Sequence, residues 1–476
     1  MGNMDRDRWD AWRAVGRAGA VALVVAALAG RAAAHSGSLG GSVASAAVPT
    51  WLTVLTGGVV VGGSFLFTTL LTDHEAMRGV NWWRVALPTP ASLRQAAVSV
   101  LRLASFGVLL LVVATGFVGP TTPTRNFALL AVWVGWWAGY TTTTYLVGNT
   151  WTAVNPWLAP VALVRRVRDR FVDSTESHSL PDRWGTWPAV AGLLALVFLE
   201  VVSPVGRDPR LLAVVVVGYS LVTVAGAVRY GDAWFDRVDP VSRVFAAYGR
   251  VAPLQRDGDG GVTLRLPSTA LTEDPLPDRS GEVAFVVALL WVTTYDGLVA
   301  TPTWAAAVEP VVALGVPALL VYAVVCLTGF AGFLAVYRLA ARTVRDTADT
   351  YVTARAIERW FAPALLPIAA GYHLAHFLGY FLGLAPALGV VALGPFAPPA
   401  TPQALVLPGW FGTVKLLCVL GGHVLAIWVA HSLSFELFPG VLAAIRSQYP
   451  SVVVMVFYTM SSLWVITQPY VPPPYV

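Results

Sequence analysis

The chain has 476 residues, of which 56% are hydrophobic and only 12% are charged, against roughly 25% charged in an ordinary water-soluble domain. That excludes a soluble globular protein and a nucleic-acid surface, and the net charge of +5 is what cytoplasmic loops of a membrane protein supply. Only Cys326 and Cys418 are present, so neither a disulfide framework nor a thiolate metal cluster can be built within one chain.

The N-terminus reads as a secretory signal over residues 1–34. Arg6, Arg8, Arg13 and Arg17 form a basic start, 18–30 is an apolar run too short to span, and Ala32-Ala33-Ala34 offers small residues for cleavage. Cleavage after Ala34 makes His35 the mature N-terminus, whose amine and imidazole together suit Cu(II).

Residues 35–476 read as one all-α domain, a polytopic transmembrane helical bundle. A helix needs about 20 apolar residues to cross roughly 30 Å of hydrocarbon. About ten segments qualify, near 50–72, 96–118, 127–148, 187–204, 211–230, 282–302, 311–337, 361–386, 411–433 and 450–467. Arginines gather in every other connection: Arg78, Arg84 and Arg94 in the first, Arg165 to Arg183 in the third, Arg237 to Arg279 in the fifth, Arg338 to Arg359 in the seventh, and Arg446 in the ninth. The even connections hold only Arg125, Arg207 and Arg210. Positive charge marks the cytoplasmic side, so the expected location is the plasma membrane with both mature termini extracytoplasmic. Trp51, Trp82, Trp83, Trp187, Trp304, Trp360 and Trp410 fall near span ends, where indoles prefer the headgroup layer. The longest hydrophilic piece is a cytoplasmic loop at 231–281. It predicts an amphipathic segment over 240–251 and a small hairpin where turn residues precede alternating Val262, Leu264 and Leu266.

Ionisable residues within the spans are costly in hydrocarbon and must be paired or hydrated. They are Glu200, Asp296, His373, His376, Lys415, His423 and His431. Counting from the span ends puts Asp296, His376 and His423 at middle or outer-middle depth, with His373 and His431 nearer the cytoplasm. Carboxylate and neutral imidazole at similar depth suit Zn(II) or Cu(II). The same histidines could instead hold a b-type haem, relay protons, or only hydrogen-bond between helices. The Thr141–Thr144 run reads as helix packing or a channel lining. Serine-nucleophile elbows, zinc-protease helices and phosphate loops are absent from the sequence.

Several short motifs, in order, resemble a family of polytopic prokaryotic membrane proteins known as fenitrothion hydrolase. They are Ala34-His35, Asn155-Pro156-Trp157, Tyr230-Gly231-Asp232-Ala233, the run from Phe245 to Pro253, Tyr295-Asp296-Gly297, Ala375-His376, Gly422-His423, Ala430-His431 and Ser447-Gln448-Tyr449-Pro450. The likeness runs over most of the mature chain. Ser432 departs from it where relatives are expected to carry Asp after the histidine, and His373 is an addition. The resemblance implies organophosphate ester cleavage without supplying a catalytic set.

The preferred expectation is therefore transition-metal handling, with copper moved or delivered across the membrane. His35 is the outer acceptor, Asp296, His376 and His423 form the mid-membrane site, and His431 lies further along the path. An extracytoplasmic metal-carrier protein and the lipid bilayer are the partners this implies, with no nucleic acid. The alternatives are a membrane metallohydrolase with Zn(II) activating water, or a b-haem electron carrier.

Overall fold

The computed structural model describes residues 50–88, 91–171, 178–256 and 261–475. The signal peptide and His35 lie outside the described residues.

The chain is an all-α bundle of a multi-pass membrane protein. In chain order its main elements are α1 (Thr50–Thr68), α2 (His74–Asn81), β1 (Arg84–Leu87), α3 (Ala91–Val118), α4 (127–146), α5 (Leu158–Arg168), α6 (Trp187–Val202), α7 (Pro209–Tyr230) and α8 (Pro240–Gly249). Then follow β2 (Leu254–Arg256), β3 (Val262–Arg265), α9 (Glu282–Val299), α10 (Pro302–Ala313), α11 (Ala318–Thr347), α12 (Ala354–Phe361), α13 (Leu366–Leu393), α14 (Phe411–Leu437) and α15 (Val441–Thr467). Among the described residues, eight helices are long and apolar enough to cross a membrane. The other two expected spans are helical but irregular. Helix α6 has 16 residues, about 24 Å at the α-helical rise, short of roughly 30 Å of hydrocarbon. Helix α4 is π-helical over Leu130–Tyr140.

Helix starts follow local chemistry. Asp208 accepts from the backbone of Arg210 and Leu211 ahead of Pro209, Asn126 caps α4, and Thr301 and Thr353 cap α10 and α12. The expected span at 311–337 is displaced because Pro317 ends the turn after α10 and α11 begins at Ala318. Proline inside an apolar run does not always break it: Pro450 lies within α15, so this helix starts at Val441 rather than near 450.

Helix α9 is the axis of the bundle. Nearly all of it is enclosed by α6, α11, α13 and α15, whereas only 6% of the apolar window of α3 is buried. Helices whose apolar faces remain exposed turn them to lipid, so the helix that carries Asp296 is the one wrapped in protein. Helices α13 and α14 pack against each other over an extensive contact. A Cβ on Gly371 or Gly422 would collide with the backbone of the other helix, which is the close approach that small residues permit in membranes.

On the arginine-rich side, β2 and β3 form the expected hairpin, and α8 is the expected amphipathic helix. The third strand is not among the expected elements: β1 pairs antiparallel with β3, giving the order β1-β3-β2 with Arg84 opposite Arg265. Among the expected tryptophan anchors, Trp51, Trp82 and Trp410 are exposed at helix ends, but Trp304 is buried edge-on against Tyr322.

Candidate functional site

Thr293 and Thr294 return their hydroxyls to Leu290 O, so two polar residues sit in α9 without unmet donors. Asp296 follows them with no such internal partner. It lies about 21 Å along α9 from its arginine-rich end, and His376 lies about 15 Å along α13 from its own. The two meet at 3.3 Å, His376 Nε2 to Asp296 Oδ2, with side chains 32% and 27% exposed. Neither group is fully buried by protein.

The surroundings are aromatic and acidic. Tyr372 lies one turn before His376 with its ring nearly parallel, centroids 6.1 Å apart. Its hydroxyl is directed at Gly297, where any Cβ would collide with it. That hydroxyl is buried, makes no hydrogen bond and is within electrostatic reach of Asp296. Glu200 lies near the arginine-poor end of α6. The C-terminal segment crosses this end of α9: Val471 N–H donates to Ala300 O at 2.9 Å and Tyr322 Oη donates to Pro474 O at 3.0 Å.

His423 does not join the pair. It is completely buried on α14, where Nδ1 donates to Val419 O at 2.8 Å and Nε2 has no hydrogen-bond partner. His431 is a tie between segments. Its Nδ1 meets Gln448 Oε1 at 2.9 Å and its Nε2 meets Leu71 O at 3.0 Å, so both nitrogens are occupied by protein oxygens. The Gln448 amide is oriented by its own bond to Ala444 O. The expected convergence of Asp296, His376 and His423 is therefore not found, and His431 has no free nitrogen to offer a metal. Among the described residues no three His, Cys, Asp or Glu side chains are gathered closely enough to hold a metal ion. The physical reason is rotational: Gly422 presses α14 against α13, while His423 is turned to its own helix carbonyl.

His373, one turn before His376, is fully buried and hydrogen-bonded through Nδ1 to Tyr145 Oη at 3.1 Å. Sequence reasoning located both histidines but gave no sign of Tyr145 or Tyr372, because tyrosine in an apolar helix reads as ordinary packing. The enclosed space lined by Tyr337, Ile357, Ser451 and Met455 is lined by different residues from the Asp296–His376 pair.

Fold and site together define a multi-pass α-helical membrane protein with a carboxylate–imidazole pair inside its bundle. Comparison with protein-family models, curated proteins and solved structures finds no match.

Proposed function

We propose that this chain is a proton-linked transporter of the plasma membrane, moving a transition-metal cation such as copper as cargo, with Asp296–His376 binding and releasing the coupled proton. The observation that carries this is the 3.3 Å carboxylate–imidazole pair on the enclosed helix. Intramembrane ionisable residues that face the bundle interior and pair with each other mark ion pathways and proton relays. Imidazole also changes protonation near neutral pH with little driving force.

Among the described residues two such groups meet, whereas closed metal sites take four ligands and catalytic zinc takes three.

The test uses the purified full chain in vesicles loaded with a pH-sensitive dye, to which copper(II) or zinc(II) is added under an imposed pH gradient. Wild type should couple metal entry to proton movement, and Asp296→Asn and His376→Gln should each lower the coupled rate by about tenfold or more. Wild-type rates in both variants, or no metal-dependent proton movement in wild type, overturn the reading.

A further inference from the structure

Arg102 lies about 24 Å before Val118 along α3, inside roughly 30 Å of hydrocarbon, and Val100, Leu101 and Leu103 beside it are exposed. A guanidinium is costly in lipid, and its long stem carries it toward the headgroup layer on the arginine-rich side. There its Nη2 donates to Thr152 O at 3.2 Å. Arg256, at the end of β2, reaches the same residue, its Nη1 donating to Thr152 Oγ1 at 2.7 Å. Two positive charges from distant parts of the chain thus rest on the two oxygens of one threonine.

The residue they share is held in place by its neighbours. Asn149 Oδ1 accepts from Trp151 N at 2.8 Å, and the buried Trp151 indole donates to Ser242 Oγ at 2.9 Å. Leu254 N donates to Val147 O at 3.0 Å, which lays β2 along the same turn. The anchored indole points inward and Thr152 stays exposed.

These groups offer donors and no spare negative charge. Arg102 and Arg256 keep hydrogens on their other guanidinium nitrogens, and Thr152 Oγ1, which accepts from Arg256, keeps its own hydrogen to donate. Among the described residues neither guanidinium forms an ion pair with a carboxylate. Like charges gathered in this way disfavour each other, and an anion between them relieves that. Two planar guanidinium forks and a hydroxyl suit the oxygens of a phosphate.

We propose that Arg102, Arg256 and Thr152 form a binding site for one phosphate oxyanion, that of an anionic phospholipid in the leaflet at the arginine-rich end. The position of Arg102 favours the lipid over a soluble phosphate. It rises from a stretch of α3 whose Val100 and Leu103 are 66% and 67% exposed, an apolar surface for the acyl chains below the headgroup. This site is separate from the Asp296–His376 pair and does not depend on the function proposed for that pair.

Native mass spectrometry of the full chain in neutral detergent, titrated with phosphatidylglycerol, tests this, with phosphatidylcholine as the zwitterionic comparison and inorganic phosphate as competitor. Phosphatidylglycerol should bind more tightly than phosphatidylcholine, and Arg102→Gln and Arg256→Gln should each weaken it by about tenfold. Arg345→Gln, an exposed arginine on α11, should leave it unchanged. Thr152→Val keeps both charges and the shape of the side chain, so it covers the case in which an arginine variant is not recovered. It should weaken binding by about threefold or more. Wild-type affinity in both arginine variants or in Thr152→Val, or an equal loss in Arg345→Gln, overturns the site. Equal affinity for the two lipids, or displacement of phosphatidylglycerol by equimolar inorganic phosphate, overturns the assignment to an anionic lipid.

Discussion

Asp239 precedes α8 and accepts from Ser242 N at 3.0 Å, from Ser242 Oγ, and from Tyr219 Oη. Burial raises its carboxyl above the ordinary 3.8, and the hydrogen bonds from Ser242 and Tyr219 only partly offset that. The folded protein therefore holds this proton more tightly than the unfolded chain. The stability from this group is greatest below the unfolded value and falls as pH rises through the interval up to the folded one. Asp239→Asn keeps a capping oxygen but its amide nitrogen cannot accept from the tyrosine, which should cost about 1 kcal/mol. Thermal melts should show the wild-type advantage over Asp239→Asn shrinking as pH rises from about 4. A gap that widens over that range counts against this account. Asp239 was hidden in the sequence among ordinary loop acids, whereas Asp296 and His376 stood out because charge is rare in hydrocarbon. Their pairing could not be read, since periodicity gives the face of a helix and not the neighbour that face meets.

At the scale of elements, the crossing of α13 and α14 depends on two glycines. A Cβ at Gly422 would strike Pro367 O and Gly371 Cα, while one at Gly421 meets nothing within 4 Å. Gly422→Val should therefore destabilise the protein by about 1–3 kcal/mol or more, since the backbones must separate. Gly421→Ala is the matched control and should leave denaturant midpoints nearly unchanged. Equal midpoints for the two variants would show that the backbones do not touch there. Segment existence was legible from apolar length, and the hairpin at 254–265 from its turn residues and alternation. Boundaries were less so: α6 is shorter than its apolar run, and Pro450 is carried inside a helix. Strand β1, Arg84 to Leu87, has four residues ahead of Pro88 and no alternation against polar neighbours, so only its pairing with β3 reveals it.

Across the whole molecule, the connections sort onto two ends by contacts that the arginine count did not use. Arg78 forms a two-pronged ion pair with Glu436, joining the first and ninth connections at 2.8 Å. Arg84 and Arg265 share Glu273, Arg355 reaches Asp278 at 3.0 Å, Arg359 donates to Leu276 O, and Arg237 approaches Asp182 at 3.6 Å. The first, third, fifth, seventh and ninth connections are thereby tied to one end. At the other end Arg125 donates to Pro398 O and Pro399 O, joining the second and eighth connections, and Val471 meets Ala300. The excess of arginine on the first predicts that this end faces the cytoplasm, because positive charge is retained inside. Single cysteines in a Cys326→Ser, Cys418→Ser background test both statements with a membrane-impermeant thiol reagent on intact cells. Ala400→Cys, exposed on the arginine-poor end, should label directly, and Tyr351→Cys, fully exposed on the arginine-rich end, should label only after the membrane is opened. A reversed pattern overturns the orientation, and equal labelling of both from outside overturns the two-ended arrangement itself.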